Sequence, residues 1–506
     1  MQRRDALKML AGAGLVGYLG HRGPLGALSA AVADDAVVTS EMVRLDAGIE
    51  PLVRLIETTP RDKCFEMAAE QFRRGTPYRQ FLAALYLAGV RNVNPQPPGF
   101  KFHCVFVIHA AHQLSLDAPA DERLLPLLWA LDNFKQSQEQ DVQQGDFQLG
   151  PVRGKLPTPE TARREFQAAM EAWDEERADR AIVAMVRSCG AHQVIEELWR
   201  YGARDYRNIG HKAIFVANTW RTLQTIGWRH AEPALRSLVL GLLDFGPQER
   251  VNDYAYKDQS YLLNQELARK TSERLPGDWS APVENPVATR RLLEVFRTAS
   301  VAESCAEAVR NLEDGRTTAQ AVWDAVHLLA GELMMRQPGI YGIHTVTSVN
   351  GLRYAYEMAA DPETRLLLLL QGVGWMGQFQ QFMAGRNGGL KEVRIDELAP
   401  ATAPAQPAEV LNFVGTDSPK AAAQAMALAE RPADVAQFVQ AAYRLIFRKG
   451  TDAHDYKYAA AIFEDVDLVS PAWKPHMLAT AVYHLRGATL PDSPLMERAV
   501  DAIRSV

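Results

Sequence analysis

Cysteine is scarce in this chain of 506 residues, and the four present, Cys64, Cys104, Cys189 and Cys305, form neither a CxxC pair nor a zinc-like spacing. A disulfide framework and a cysteine-based metal site are therefore not indicated, and these residues read as small buried apolar side chains. Excess positive charge is also missing: the net charge is −6, where a nucleic-acid surface needs a basic face. No apolar run reaches the roughly 18 uninterrupted residues of a membrane span. No GxGxxG follows a strand, and Walker A, HExxH and GxSxG motifs are absent, so nucleotide, zincin and serine-hydrolase chemistry have no standard signature here. Strand signals are confined to short isolated pieces, VEN, KEVRI and VLNFV.

What the chain does have is a histidine repeated in one local setting. His103, His211, His344 and His454 each follow a polar or Gly/Pro-containing turn and lead an apolar run: FHCVFVIHAAHQL, GHKAIFVANTWRTLQ, IHTVTSVNGLRYAYEMA and HDYKYAAAIFEDVDL. Each is followed, 21 to 24 residues after its histidine, by a second apolar run, and the histidines are 108, 133 and 110 residues apart. This is the signature of an internal repeat. The expected fold is all-α, four degenerate helical repeats forming an α/α toroid or a superhelical array. Stacked repeats put equivalent residues in equivalent places, so the histidines are candidates to line a central pocket as metal ligands or acid/base groups.

The expected organisation is helical unit 1 over 34–140, a linker over 141–160, unit 2 over 161–245, a loop or lid excursion over 246–288, unit 3 over 289–383, an exposed Ala/Pro-rich linker over 384–417 and unit 4 over 418–506. Residues 1–33 stand apart. MQRRDALKML, the short apolar run AGAGLVGYLG and a small-x-small site at Ala31–Ala33 resemble a twin-arginine signal peptide. That resemblance implies recognition by the twin-arginine export machinery, a periplasmic or otherwise extracytoplasmic mature protein outside the membrane, and cargo that often travels folded with its cofactor.

A second pattern concerns metal ligands. HQVIEEL and HLLAGEL share the form H-x-x-x-x-E-L, and their His192 and His327 precede the repeat histidines by 19 and 17 residues. His192 and Glu196 are four apart and share a helix face. Histidine and glutamate on facing helices build carboxylate metal sites, so His192, Glu196, His211, His327 and His344 form a candidate ligand set. The cofactor stays open, with iron, manganese and copper as the transition metals considered. His109 and His112 share a helix face, and His476 and His484 read as surface or helix-end residues. Tyr206, Tyr341, Tyr354, Tyr356 and Tyr456, with Trp199, Trp220 and Trp228, fit either core packing or the wall of a pocket for a flat organic molecule.

In residues 344–375 the order of histidine, apolar helix, Ala-Tyr-Glu and second apolar helix resembles the questin oxidase-like proteins, with a fainter echo at GHKAIFVAN. The resemblance implies an oxidoreductase of the Baeyer–Villiger type acting on a cyclic or aromatic organic substrate, with His344 matching the motif clearly and His211 and His103 less so. The other reading is a non-catalytic α-helical repeat scaffold with structural histidines. Convergence of the four histidines on one axis would favour the enzyme, and a ladder spread along an open superhelix the scaffold.

Overall fold

The computed structural model describes residues 43, 45–245, 255–403 and 405–504, and among these every regular element is a helix. The proposed signal at 1–33 lies outside the described residues. Four helices carry the repeat histidines: His103–Asp117, His211–Ile226, Ile340–Met358 and Ala453–Leu468. They are apolar nearly all round, which is the pattern of a helix buried on every side. Each packs on the next, and the Ala453–Leu468 helix returns to pack on His103–Asp117. They run parallel. Their histidines meet at one end, while near the other Arg221 on the second helix pairs with Glu464 on the fourth. Each of these residues lies ten positions beyond its histidine, about 15 Å along a helix.

Asn350 of the third helix joins that far end. Arg221 donates to its Oδ1 at 3.1 Å, and Asn350 Nδ2 donates to Glu464 and Asp465 at 2.8 Å each. This polar knot ties three of the four helices where their apolar packing ends. At the residue after Asn350 the second and third helices approach almost backbone to backbone: a Cβ at Gly351 would lie 3.2 Å from the Ala213 carbonyl carbon and oxygen.

Outside the four lie the helices that precede and follow each of them. Tyr78–Asn92, Ala191–Gly202, Ala319–Arg336 and Pro432–Lys449 lead in, and Leu125–Gln143, Ala231–Leu242, Pro362–Ala384 and Lys474–Ala481 lead out, each in contact with its histidine helix. The second apolar runs of the sequence are these outgoing helices. Amphipathic helices such as Glu175–Ser188 and Val301–Glu313 complete the periphery, burying Ala178, Ile182 and Met185, or Cys305, Ala308 and Leu312, on one face. One continuous hydrophobic core results.

Two expected loop segments are structured. Within 246–288, residues Ala255–Thr271 form a helix, followed by a 3-10 turn at Ser272–Arg274; residues 246–254 lie outside the described ones. The segment reads as polar because it docks through hydrogen bonds: Ser260 Oγ donates to Gln378, and Asn264 Nδ2 to the Leu370 carbonyl and Gln371. The 384–417 linker is exposed over most of its length, as expected, but is pinned to the core at the turns Ile395–Glu397 and Pro407–Asn412, whose Ile395, Val410 and Leu411 are buried. The Ile395 N–H donates to the buried Glu332, which also holds Arg297. The strand-like pieces KEVRI and VLNFV fall in this segment and form no strand.

Replacing Gly351 by Val forces the second and third inner helices apart. The expected cost is about 1–3 kcal/mol, as for other overpacked cores, measured as a lower midpoint in chemical denaturation. Gly277→Ala, where nothing lies within 4 Å of the added carbon, is expected to change stability by no more than about 0.5 kcal/mol.

Candidate metal centre

Each repeat histidine is aimed by a hydrogen bond from its Nδ1 to the turn just before it. His103 follows the 3-10 turn Phe100–Phe102, and its Nδ1 lies 2.7 Å from the Phe100 carbonyl. His211 follows a turn in which Asn208, Ile209 and Gly210 take φ of 53°, 49° and 83°. That left-handed path brings the Asn208 carbonyl to 2.5 Å from Nδ1. Gly210 is required twice over, because a Cβ there would also stand 2.5 Å from Ser348 Cβ. His344 sits one turn inside its helix with Nδ1 2.6 Å from the Ile340 carbonyl. His454 differs in using a carboxylate: Asp452 caps the helix by accepting from the His454 N–H at 2.7 Å and also accepts from His454 Nδ1.

A carbonyl oxygen can only accept, so the Nδ1 atoms of His103, His211 and His344 carry hydrogen and their neutral rings present a bare Nε2 lone pair. These lone pairs converge. His103 Nε2 and His344 Nε2 each lie 3.0 Å from His211 Nε2, and one ring nitrogen from each of the four histidines lies within 4.8 Å of every other. His454 Nε2 is buried with no hydrogen-bond partner. Going round the set, ring centroids of neighbours are 5.0, 4.4, 5.1 and 4.5 Å apart, closing from His454 back to His103. Lone pairs facing each other at 3.0 Å repel unless a proton or a metal cation stands between them.

Burial opposes the proton. The pKa values of His103, His211 and His344 are pushed well below the ordinary histidine value, chiefly by burial and further by the nearby Lys457 and the other imidazoles. That of His454 is lowered by burial and Lys457 against the pull of Asp452. Asp452 itself is held below the usual carboxylate range, first by its bond to His454. A metal meets the geometry instead. Imidazole nitrogens bind at about 2.0–2.1 Å, which places neighbours at right angles about 2.9 Å apart, close to the two short contacts here. Fixing Nδ1 by an acceptor is also how metal-binding histidines are oriented.

The set lies at the base of a cavity of about 660 Å³. Phe100, Tyr206, Ile209, Phe245, Ile340 and Phe382 supply apolar wall, and Lys101, Gln140 and Arg386 polar wall. Phe100 is 76% exposed and has a positive φ, an aromatic ring held out at the cavity. Lys101 is tied to the buried Asp141 at 2.6 Å. On the other side of the histidines Phe106 lies beneath His211, ring centroids 6.0 Å apart.

The structure brings together all four histidines singled out as catalytic candidates, but not the H-x-x-x-x-E-L set. His192 packs its ring edge against Trp220, and Glu196 accepts from the Ala360 and Asp361 N–H groups ahead of the Pro362 helix. His327 is buried beside Asp465, with Nδ1 3.6 Å from its carboxylate. These three therefore do not join His211 and His344 in one ligand set: their helices lie outside the inner four, and their side chains serve packing and capping. His112 meets Tyr78 at 3.3 Å, and His109 is half-buried in the first inner helix with its Nδ1 buried. His476, in the first turn of the Lys474–Ala481 helix, and His484, just past its end, are helix-end residues as expected, half-buried against Trp473 and Tyr458. Of the aromatics, Tyr206 lines the cavity, while Tyr456 stacks on Trp129 and Tyr356 packs against Trp323 in the core. Cys64, Cys104 and Cys305 are buried free thiols, and Cys189 is half-buried. Asp452 and Lys457 were not singled out; their signal was present as an N-cap and as the lone cation in an apolar helix face.

A pH dependence follows. The folded pKa of each of the four repeat histidines lies below its unfolded value of about 6.5, so its contribution is complete above that pH. As pH falls, the unfolded chain takes up protons that the native rings refuse, and stability drops by about 1.4 kcal/mol per pH unit per histidine. In chelator-treated protein, His211→Gln is expected to flatten the slope of unfolding free energy below about pH 6 by that amount; an unchanged slope would show that His211 titrates alike in both states. Comparisons with protein-family models, with curated proteins and with solved structures find no match for this chain.

Proposed function

We propose that the four repeat histidines hold one transition-metal ion at the base of the cavity, and that the protein is an oxidoreductase acting on a small cyclic or aromatic organic substrate. The observation that carries this is the convergence of four imidazole nitrogens within 4.8 Å, with no acidic side chain in the set. An all-imidazole site suits copper, iron, nickel or zinc, and the lack of a carboxylate weighs against manganese. Iron and copper supply redox chemistry. The aromatic wall fits a flat substrate, and Lys101, Gln140 and Arg386 offer donors to its oxygens.

The packing of each inner helix on the next, closed from fourth to first, supports a reading of the fold as an α/α toroid of four degenerate repeats, each contributing one ligand. The questin oxidase-like resemblance suggests the reaction class. A Baeyer–Villiger oxygenation inserts one atom of dioxygen beside a carbonyl and reduces the other to water, with two electrons and two protons from an external reductant. The twin-arginine resemblance suits a protein exported after folding around its metal. A passive scaffold has no use for four bare nitrogens at one point, so convergence favours the enzyme.

Protein purified without chelators or a histidine tag is expected to carry a stoichiometric transition metal by elemental analysis. His211→Ala/His344→Ala should lose it while keeping the helical circular dichroism. Asp452→Ala, which frees the His454 ring, should weaken metal binding about 10- to 100-fold. Wild-type protein that takes up no metal on reconstitution would contradict the proposal.

A further inference from the structure

Lys457 has no role in the site as described so far. It is 4% exposed, and its Nζ is buried without a hydrogen-bond partner. The contrast with the other buried lysines is sharp. Lys212 donates to Asp205 and the Asp244 carbonyl, and Lys135 to the Ile56 and Glu57 carbonyls and Gln138. A buried ammonium with no acceptor costs several kcal/mol, whereas a neutral amine has a lone pair to give.

The position of that lone pair is set by the helix. Lys457 lies three residues after His454, on the same face and about 4.5 Å further along the axis. Nζ stands 5.7 Å from the centre of the Phe106 ring, and that ring packs against His103 and His211. Lys457 is thus on the inner side of the histidine set, and the cavity is on the outer side.

We infer that the Lys457 amine is the inner ligand of the metal centre, closing the face opposite the cavity so that substrate and oxidant meet the metal from the cavity side alone. This rests on the metal reading above. The bond formed is Nζ to metal, and a proton carried by the amine leaves to solvent as the cation enters. Four imidazoles and one amine would hold the ion from the helix side, so any exchangeable position would face the aromatic wall.

The test uses the full chain, produced with ¹⁵N-lysine, stripped of metal and loaded with one equivalent of Cu(II), with pulsed electron paramagnetic resonance as the readout. The expected result is imidazole nitrogen couplings together with a ¹⁵N coupling, the latter lost in Lys457→Leu while copper stays bound. Imidazole couplings without a ¹⁵N coupling in the wild-type protein would overturn the lysine ligand and leave the histidine centre standing. Copper held without imidazole couplings would overturn both. The labelled wild-type protein decides the question even if Lys457→Leu fails to fold.

Discussion

Four imidazole nitrogens brought within 4.8 Å of one another, with His211 Nε2 3.0 Å from two of the others, are the constraint on which this molecule turns. Each Nδ1–H is spent on an acceptor in the turn that starts its helix, three times a backbone carbonyl and once Asp452. The hydrogen bonds fix the rings and also fix the problem, because Nε2 then has nothing to accept from. The architecture imposes this arrangement on an apolar interior that disfavours imidazolium. On the proposed reading a metal cation at the centre resolves it, at a spacing close to the two contacts of 3.0 Å.

The inner helices are built to hold that point. Backbone approach at Gly351, the left-handed turn before His211 and the Arg221, Asn350 and Glu464 knot at the far end set their relative positions at both ends. A ligand carried on four separate helices is only as precise as their packing, which explains why nearly all residues of the His211 helix are buried. The surrounding helices provide that packing and expose their polar faces. The turns that aim the histidines also line the cavity, so Phe100 and Asn208 belong to both the support and the wall.

Much of this was legible in the sequence. The recurrence of His103, His211, His344 and His454 before apolar runs pointed to helical repeats and to histidines at equivalent places, and they do meet. The misleading signal was H-x-x-x-x-E-L: His192 and His327 lie on helices outside the inner four, and spacing within one helix says nothing about which helix faces the axis. Glu196 shows the same limit, since a carboxylate serving the N–H groups at residues 360 and 361 looks in sequence like a ligand. The 246–288 segment misread for another reason, because Ser260 and Asn264 are polar in order to dock a helix. Lys457 is not legible in the sequence, because a single lysine in a helix ordinarily faces water and only tertiary packing shows that this one does not.

The central claim, that the four histidines share one metal, is tested most directly by X-ray absorption spectroscopy at the edge of the metal the purified protein carries. The account predicts a nitrogen coordination sphere at about 2.0–2.1 Å, with the outer-ring scattering of four imidazoles. A site with two imidazoles or fewer, or one dominated by oxygen or sulfur, would contradict it.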